Sequence, residues 1–242
     1  MTSDGGGGDG AVSVRLDGAV LWIGLNRPDR HNIYDLAMRD ALYTAFGLAA
    51  EHPDVGAVVV HGEGANYSAG ADLREFGSAP SQDVARRVRF ARDVWGRVLD
   101  CPHPVVAALH GVCFGSGLEL ALLCDQRVAA DDAVLALPEM RLGMIPAAGG
   151  TQSAPRVAGL GRAYPFLLTG ERIDAVEARR RGLVDEVVGA GEAKHRAGEL
   201  AAALAALPQP AAALTRDLVR RAGDLPMAAG LRIESVLAAA TW

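Results

Sequence analysis

The sequence predicts one α/β domain, and three observations carry that prediction. Short apolar runs bounded by glycine alternate with longer segments whose apolar residues recur at helical spacing. A strand, a small-residue loop and an acidic residue followed by leucine occur in that order twice. The loops are Ser68-Ala69-Gly70-Ala71-Asp72-Leu73 and Gly115-Ser116-Gly117-Leu118-Glu119-Leu120. The chain has 242 residues, 50% hydrophobic and 22% charged, enough to bury a single large core.

Val12 to Leu25 alternates and turns at Asp17-Gly18, which signals a β-hairpin. Asn26-Arg27-Pro28-Asp29 breaks it. Ile33 to Ala50 carries Leu36, Leu42, Ala45 and Phe46 at helical spacing and ends at His52-Pro53-Asp54. Ala57 to Val60 is a short buried strand stopped by His61-Gly62, and Gln82 to Leu99 reads as one amphipathic helix with a basic face at Arg86, Arg87 and Arg89. Val105 to Leu109 is a second buried strand, and Arg127 to Leu137 a further β segment that meets Pro138-Glu139. From about Tyr164 alanine-rich helix dominates, with a short strand near Leu183 to Val188 and a break at Pro208-Gln209-Pro210. The similar wording of the two strand–loop–helix units suggests a repeated, coiled architecture without the regular period of a solenoid.

Composition excludes several functions. A net charge of −5 argues against a broad basic surface for nucleic acid or an anionic membrane. No run reaches the roughly 20 apolar residues that span a bilayer. Cys101, Cys113 and Cys124 have neither zinc-site nor disulfide spacing and read as buried free thiols in a reducing compartment. His31, His61, His103 and His110 form no HExxH or other ligand spacing, so no metal is expected. Ser68 and Ser153 lack a GxSxG elbow. Met1 to Gly10, with its glycine run, predicts a flexible leader lacking secretion or import character, and hence a cytoplasmic protein.

The two glycine-rich turns carry the chemistry. Small residues between a strand and a helix let a ligand approach the backbone and leave the helix's first N–H groups pointing outward. Two such turns can supply two N–H groups to one oxygen. A thioester carbonyl needs that when a nucleophile attacks its β-carbon and negative charge gathers on oxygen. One such donor is typically worth about 10²–10³ in rate. Neither turn is a phosphate loop, since GxxxxGK[ST] is absent and Gly115-Ser116-Gly117 lacks the third glycine of a dinucleotide fingerprint. Taken singly, each turn reads more readily as a tight connection whose glycines serve steric needs.

Four motifs together are more specific. Asn26-Arg27-Pro28 with Asn32, Ser68 to Asp72, Gly111 through Asp125, and Pro138-Glu139 through Gly149-Gly150-Thr151-Gln152 resemble, in order, those of the enoyl-CoA hydratase/isomerase (crotonase) family over about residues 12 to 235. The resemblance implies a crotonase-like (ClpP/crotonase) fold: a core of repeated ββα units over 11–190, after the 1–10 leader, and a C-terminal helical segment of the same domain over 191–242. It implies acyl-CoA substrates of fatty acid metabolism, trimers or hexamers, and no cofactor beyond the coenzyme A of the substrate. It places oxyanion N–H donors at Ala71 and Ser116 and the two carboxylates at Glu119 and Glu139. Arg30, Ala69, Asp72, Leu73, Arg74 and Gly115 fall on the stretches that line the substrate and CoA path. Both carboxylates are present, which favours water addition, a lyase reaction, over double-bond isomerisation, where one carboxylate suffices.

Rival readings stand beside these. Ser116-Gly117-Leu118-Glu119 also spells a capping box, in which Glu119 folds back onto the Ser116 N–H. Glu139 also reads as a surface partner of Arg141, and Arg30 and Arg74 as members of surface salt bridges. Three features depart from the family pattern: Ser116 replaces the usual glycine, Ile33-Tyr34 follows Asn32, and Trp242 ends the chain before a further helical segment that helps close the acyl pocket in relatives. A specialised isomerase, decarboxylase or dehydratase is the enzymatic alternative. A non-catalytic scaffold or RNA-binding relative is the alternative of another class.

Overall fold

The computed structural model describes residues 10–239, so nearly all of the expected leader and the last three residues lie outside the described residues. The chain opens with the hairpin β1 (Val12–Asp17) and β2 (Val20–Leu25), paired antiparallel around Gly18 at φ +57°. Helix α1 (Leu36–Glu51) follows. It starts three residues later than its apolar spacing suggests, because Asp35 stays extended and its carboxylate accepts from the Met38 N–H. Strand β3 (Ala57–Gly62) then lies parallel to β2.

The expected single helix over 82–99 is two: α2 (Gln82–Ala91), capped by Ser81, and α3 (Val94–Leu99), capped by Asp93. The Asp93 carboxylate accepts from the Gly96 N–H and restarts the helix, a local competition that helical spacing does not reveal. Strand β4 (Val105–Leu109) returns to the sheet, and Gly111 turns the chain into a second short strand, β5 (Val112–Phe114), ahead of α4 (Gly115–Leu123). The expected continuous β segment over 127–137 is also split. Strand β6 (Gln126–Ala130) belongs to the main sheet and β7 (Val134–Ala136) to a small one, with Asp131-Asp132 at the corner between them.

Helices α5 (Gly150–Ala158) and α6 (Leu160–Thr169) follow. The two-residue strand β8 (Ile173–Asp174), too short for a sequence signal, pairs antiparallel with β7. Helix α7 (Ala175–Arg181) stops at Gly182; Arg180 and Arg181 at its end pair with Glu177. The main sheet is completed by β9 (Glu186–Val188), and the chain finishes with α8 (Ala193–Ala205), α9 (Gln209–Arg221) and α10 (Met227–Ala238).

The main sheet runs β1-β2-β3-β4-β6-β9, parallel except at the hairpin, and the small sheet β5-β7-β8. Every residue of β3 and β4 is buried, as expected of parallel strands covered on both faces. One core holds α1, α3 and α4 against one face through Leu42, Phe46, Val98 and Leu118. The other face packs on α8 through Ala193, Ala197 and Ala201, where small residues let helix and sheet approach closely. No helix among the described residues is long and apolar enough to cross a membrane. All three cysteines are buried free thiols, and burial pushes each thiol's pKa up.

Candidate active site

The site is built where the two small-residue turns meet. After β3, Ser68 pairs in parallel with β5: its N–H donates to Val112 and its carbonyl accepts from Phe114, both at 2.9 Å. Gly70, at φ +91°, then swings the chain so that its carbonyl accepts from the Tyr34 N–H. Asp72 donates to the Tyr34 carbonyl, so in this parallel bridge Ala71 turns its own N–H away from Tyr34.

Gly70 lies against the second turn. A Cβ on Gly70 would stand 2.9 Å from the Phe114 carbonyl oxygen and 3.4 Å from Gly115 Cα, so only glycine permits this approach. Gly115 takes φ +51° and leads into the first turn of α4, where Ser116 has an ordinary backbone conformation. The Cβ that Ser116 adds to a position usually held by glycine therefore brings no backbone strain. Neither the Ala71 nor the Ser116 N–H has an acceptor among the described residues.

Both glutamates flank these turns. Glu139 is the second residue of the short 3-10 turn Pro138–Leu142 that follows β7, the strand beside β5. Its Oε1 would be 2.9 Å from a Cβ on Gly115, so the carboxylate rests on the glycine of the second turn. Its Oε2 is buried with no hydrogen-bond partner among the described residues, and burial pushes its pKa up, partly offset by its own backbone N–H. The expected alternative pairing with Arg141 is not formed; Arg141 instead donates to the Thr169 carbonyl at 2.7 Å.

Glu119 projects from α4, fully buried. Its Oε1 accepts from the Ala148 N–H at 2.9 Å and the Gly150 N–H at 2.7 Å. That places the carboxylate at the N-terminus of α5, whose first N–H groups are exposed by Gly149 at φ +103°. The capping box is therefore absent: Glu119 faces α5, and the N-cap residue of α4, Phe114, makes no side-chain cap. The N–H groups of Ala148 and Gly150 are the site residues that sequence reasoning missed, and Gly149-Gly150 was the available signal for them.

The remaining predicted residues lie on or beside the first turn. Ala69 is half-buried and donates its N–H to the His31 carbonyl, and Leu73 is exposed. Asp72 is the hub of a charge cluster: Arg74 meets both of its carboxylate oxygens through Nε and Nη2 at 2.9 and 2.8 Å, and Arg30 Nη2 reaches Oδ2 at 2.8 Å. No group of His, Cys, Asp and Glu side chains among the described residues is arranged to hold a metal ion. A shallow groove of about 510 Å³ beside Tyr43, Gly47 and Arg97 lies on the outer face of α1, apart from both turns.

Backbone donors on two adjoining turns, with two carboxylates nearby, are groups of the kind that can bind an oxygen on which charge develops and move protons at the neighbouring carbons. The sequence and the fold both match known proteins. The sequence model of the enoyl-CoA hydratase/isomerase family matches residues 15–242. A Mycobacterium bovis protein named as a probable enoyl-CoA hydratase is 34% identical over 223 residues, 92% of this chain and 86% of its own length. The crystal structure of a Bacillus anthracis enoyl-CoA hydratase superposes with a TM-score of 0.88 at 35% identity, covering 94% of this chain and 89% of that one. A Thermobifida fusca protein solved in complex with CoA gives a TM-score of 0.88 at 32% identity, covering 96% and 92%. With the paired turns, the crotonase fold and a match across nearly its full length, the chain belongs to the enoyl-CoA hydratase/isomerase family.

Proposed function

We propose that the protein hydrates 2-enoyl-CoA thioesters. The observation that carries this reading is the pairing of two acceptor-free N–H groups, Ala71 and Ser116, with two buried or half-buried carboxylates beside them. The thioester oxygen accepts from both N–H groups. Water adds to the β-carbon, forming a C–O bond as the C=C π electrons move to an enolate whose charge rests on that oxygen. The water's proton passes to one carboxylate, and the enolate collapses by taking a proton at the α-carbon from the other.

The two environments support a division of labour. Glu119, oriented by two backbone N–H groups, serves as the base toward water. Glu139, its pKa raised by burial, serves as the proton donor. No cofactor enters, because coenzyme A is part of the substrate. Arg30 and Arg74 stand beside Asp72 at the approach, suited to the phosphates of CoA. The working form is a homotrimer or hexamer in the cytoplasm, and exposed apolar side chains such as Met227, Leu231 and Val236 on α10 offer surface for assembly.

The test is the loss of conjugated-thioester absorbance when the protein meets crotonyl-CoA. Turnover should fall by about 10²–10⁴ in both Glu119→Gln and Glu139→Gln, the range for one positioned acid or base. Migration of a double bond that survives loss of one glutamate favours an isomerase. CoA-ester binding without turnover favours a specialised acyl substrate or a non-catalytic role.

A further inference from the structure

Ser68 takes no part in the proton transfers above, yet it touches both turns that supply the N–H pair. It is fully buried. Its Oγ donates to the Asn32 carbonyl at 2.7 Å and accepts from the Gly70 N–H at 3.2 Å. Asn32 is itself held rigidly at φ +52°: Nδ2 donates to the Glu63 and Asn66 carbonyls at 2.9 and 2.8 Å, and Oδ1 accepts from the Arg27 N–H at 2.7 Å. The hydroxyl therefore hangs from a fixed point and holds the Gly70 N–H from which the chain turns toward Ala71.

The other side of Ser68 fixes α4. Its main chain brackets Cys113 by bonding Val112 and Phe114, and its side chain fills the space over Gly117. A Cβ on Gly117 would overlap Ser68 Cβ and stand 2.5 Å from Oγ. Ser116 lies between these two attachments at 114 and 117.

We propose that Ser68 is a positioning residue that sets the spacing and aim of the Ala71 and Ser116 N–H groups. The inference rests on the proposed function only in requiring that these groups bind an acyl-thioester oxygen. Hydrogen bonds weaken steeply with misalignment, so a slack turn costs most where the oxygen carries full negative charge. A neutral carbonyl, bound more weakly by the same donors, loses less.

Two ligands separate positioning from mere packing. Acetoacetyl-CoA ionises to an enolate that puts charge on the thioester oxygen, whereas butyryl-CoA presents a neutral one. Calorimetric titration of the wild type should show the enolate preferred. In Ser68→Ala, which keeps the Cβ over Gly117 and loses only the hydroxyl, that preference should fall about tenfold, the scale of one lost hydrogen bond, with butyryl-CoA affinity within about twofold. Turnover should lose kcat with KM nearly unchanged, and Ser68→Cys, which retains a weak donor, should recover part of both. Equal losses for the two ligands, or a lowered melting temperature alone, overturn the proposal. A wild type with no enolate preference overturns both the proposal and the oxyanion reading beneath it.

Discussion

Glu139 and Glu119 are held in different ways, and this gives separate predictions for the two residues. For Glu139 the raised pKa comes from burial, and its buried Oε2 lacks a protein partner. In its proposed role of proton donor it must be protonated, so activity should be lost as pH rises through its elevated pKa. An acyl chain that expels water deepens the desolvation, so the alkaline limb of kcat should lie at higher pH than that of kcat/KM. Coincident limbs, or a limb within the ordinary carboxylate range, contradict the assignment. Glu119 depends on geometry. In Gly150→Ala the new Cβ would stand 2.8 Å from Glu119 Oε1 and 3.0 Å from Pro146 Cβ, displacing the carboxylate. We expect kcat to fall at least about tenfold with little change in melting temperature, because alanine is the better residue in a helix. His61 belongs to stability instead. Burial against Trp22, with Lys194 nearby, lowers its pKa to about 4 despite Glu63 and the Gly62 carbonyl, and His110 adds a small push in the same direction. The unfolded chain thus takes up this proton more readily than the folded one, and stability drops as pH falls from about 6.5 toward 4, by roughly 3 kcal/mol in all. Denaturant unfolding across that range should show the drop, and it should flatten in His61→Phe.

Helices α9 and α10 contain no buried residue, so little apolar burial secures them. Asp125 holds α9 in place: its carboxylate accepts from the Val105 N–H at 2.8 Å, Arg216 Nε at 2.7 Å and Arg220 Nε at 3.1 Å. Arg216 also donates to the carbonyls of Val98, Leu99 and Cys101, and Arg220 to that of Leu123, so two guanidinium groups cap the ends of α3 and α4. Arg216→Ala should leave a largely buried carboxylate short of its partner, at a cost of about 2–4 kcal/mol. Limited proteolysis should then cut near Leu207 well before the core, and resistance equal to that of the wild type contradicts the clamp. This scale also separates what was legible in the sequence. Strands β3 and β4 were plain because both their faces are buried and their apolar runs are unbroken. The break between α2 and α3 was hidden, because it depends on one carboxylate capping Gly96 inside a continuous helical spacing. The corner between β6 and β7 was marked by Asp131-Asp132, but that the strands on either side join different sheets is set by tertiary pairing and leaves no mark on the sequence.

At the scale of the whole molecule, the parallel pairing of β3, β4 and β6 brings the turns after β3 and β4 to one end of the sheet. There β5 and β7 carry Gly115 and Glu139 into contact. The motif residues Ala71, Ser116, Glu119 and Glu139 could be picked out in the sequence. What could not be was the convergence of segments up to 80 positions apart, or the way Ala148 and Gly150 hold Glu119. Short strands such as β8 supply that closure and are fixed by tertiary pairing alone. The central claim is that the Ala71 and Ser116 N–H groups share one thioester oxygen. It is tested most directly by isotope-edited infrared spectroscopy of crotonyl-CoA labelled with ¹³C at the thioester carbonyl and bound to the Glu119→Gln/Glu139→Gln double variant, which holds the ligand without consuming it. Two converging donors should move the carbonyl stretch to a frequency below its value in water, and a bound carbonyl that absorbs at or above that value contradicts the account.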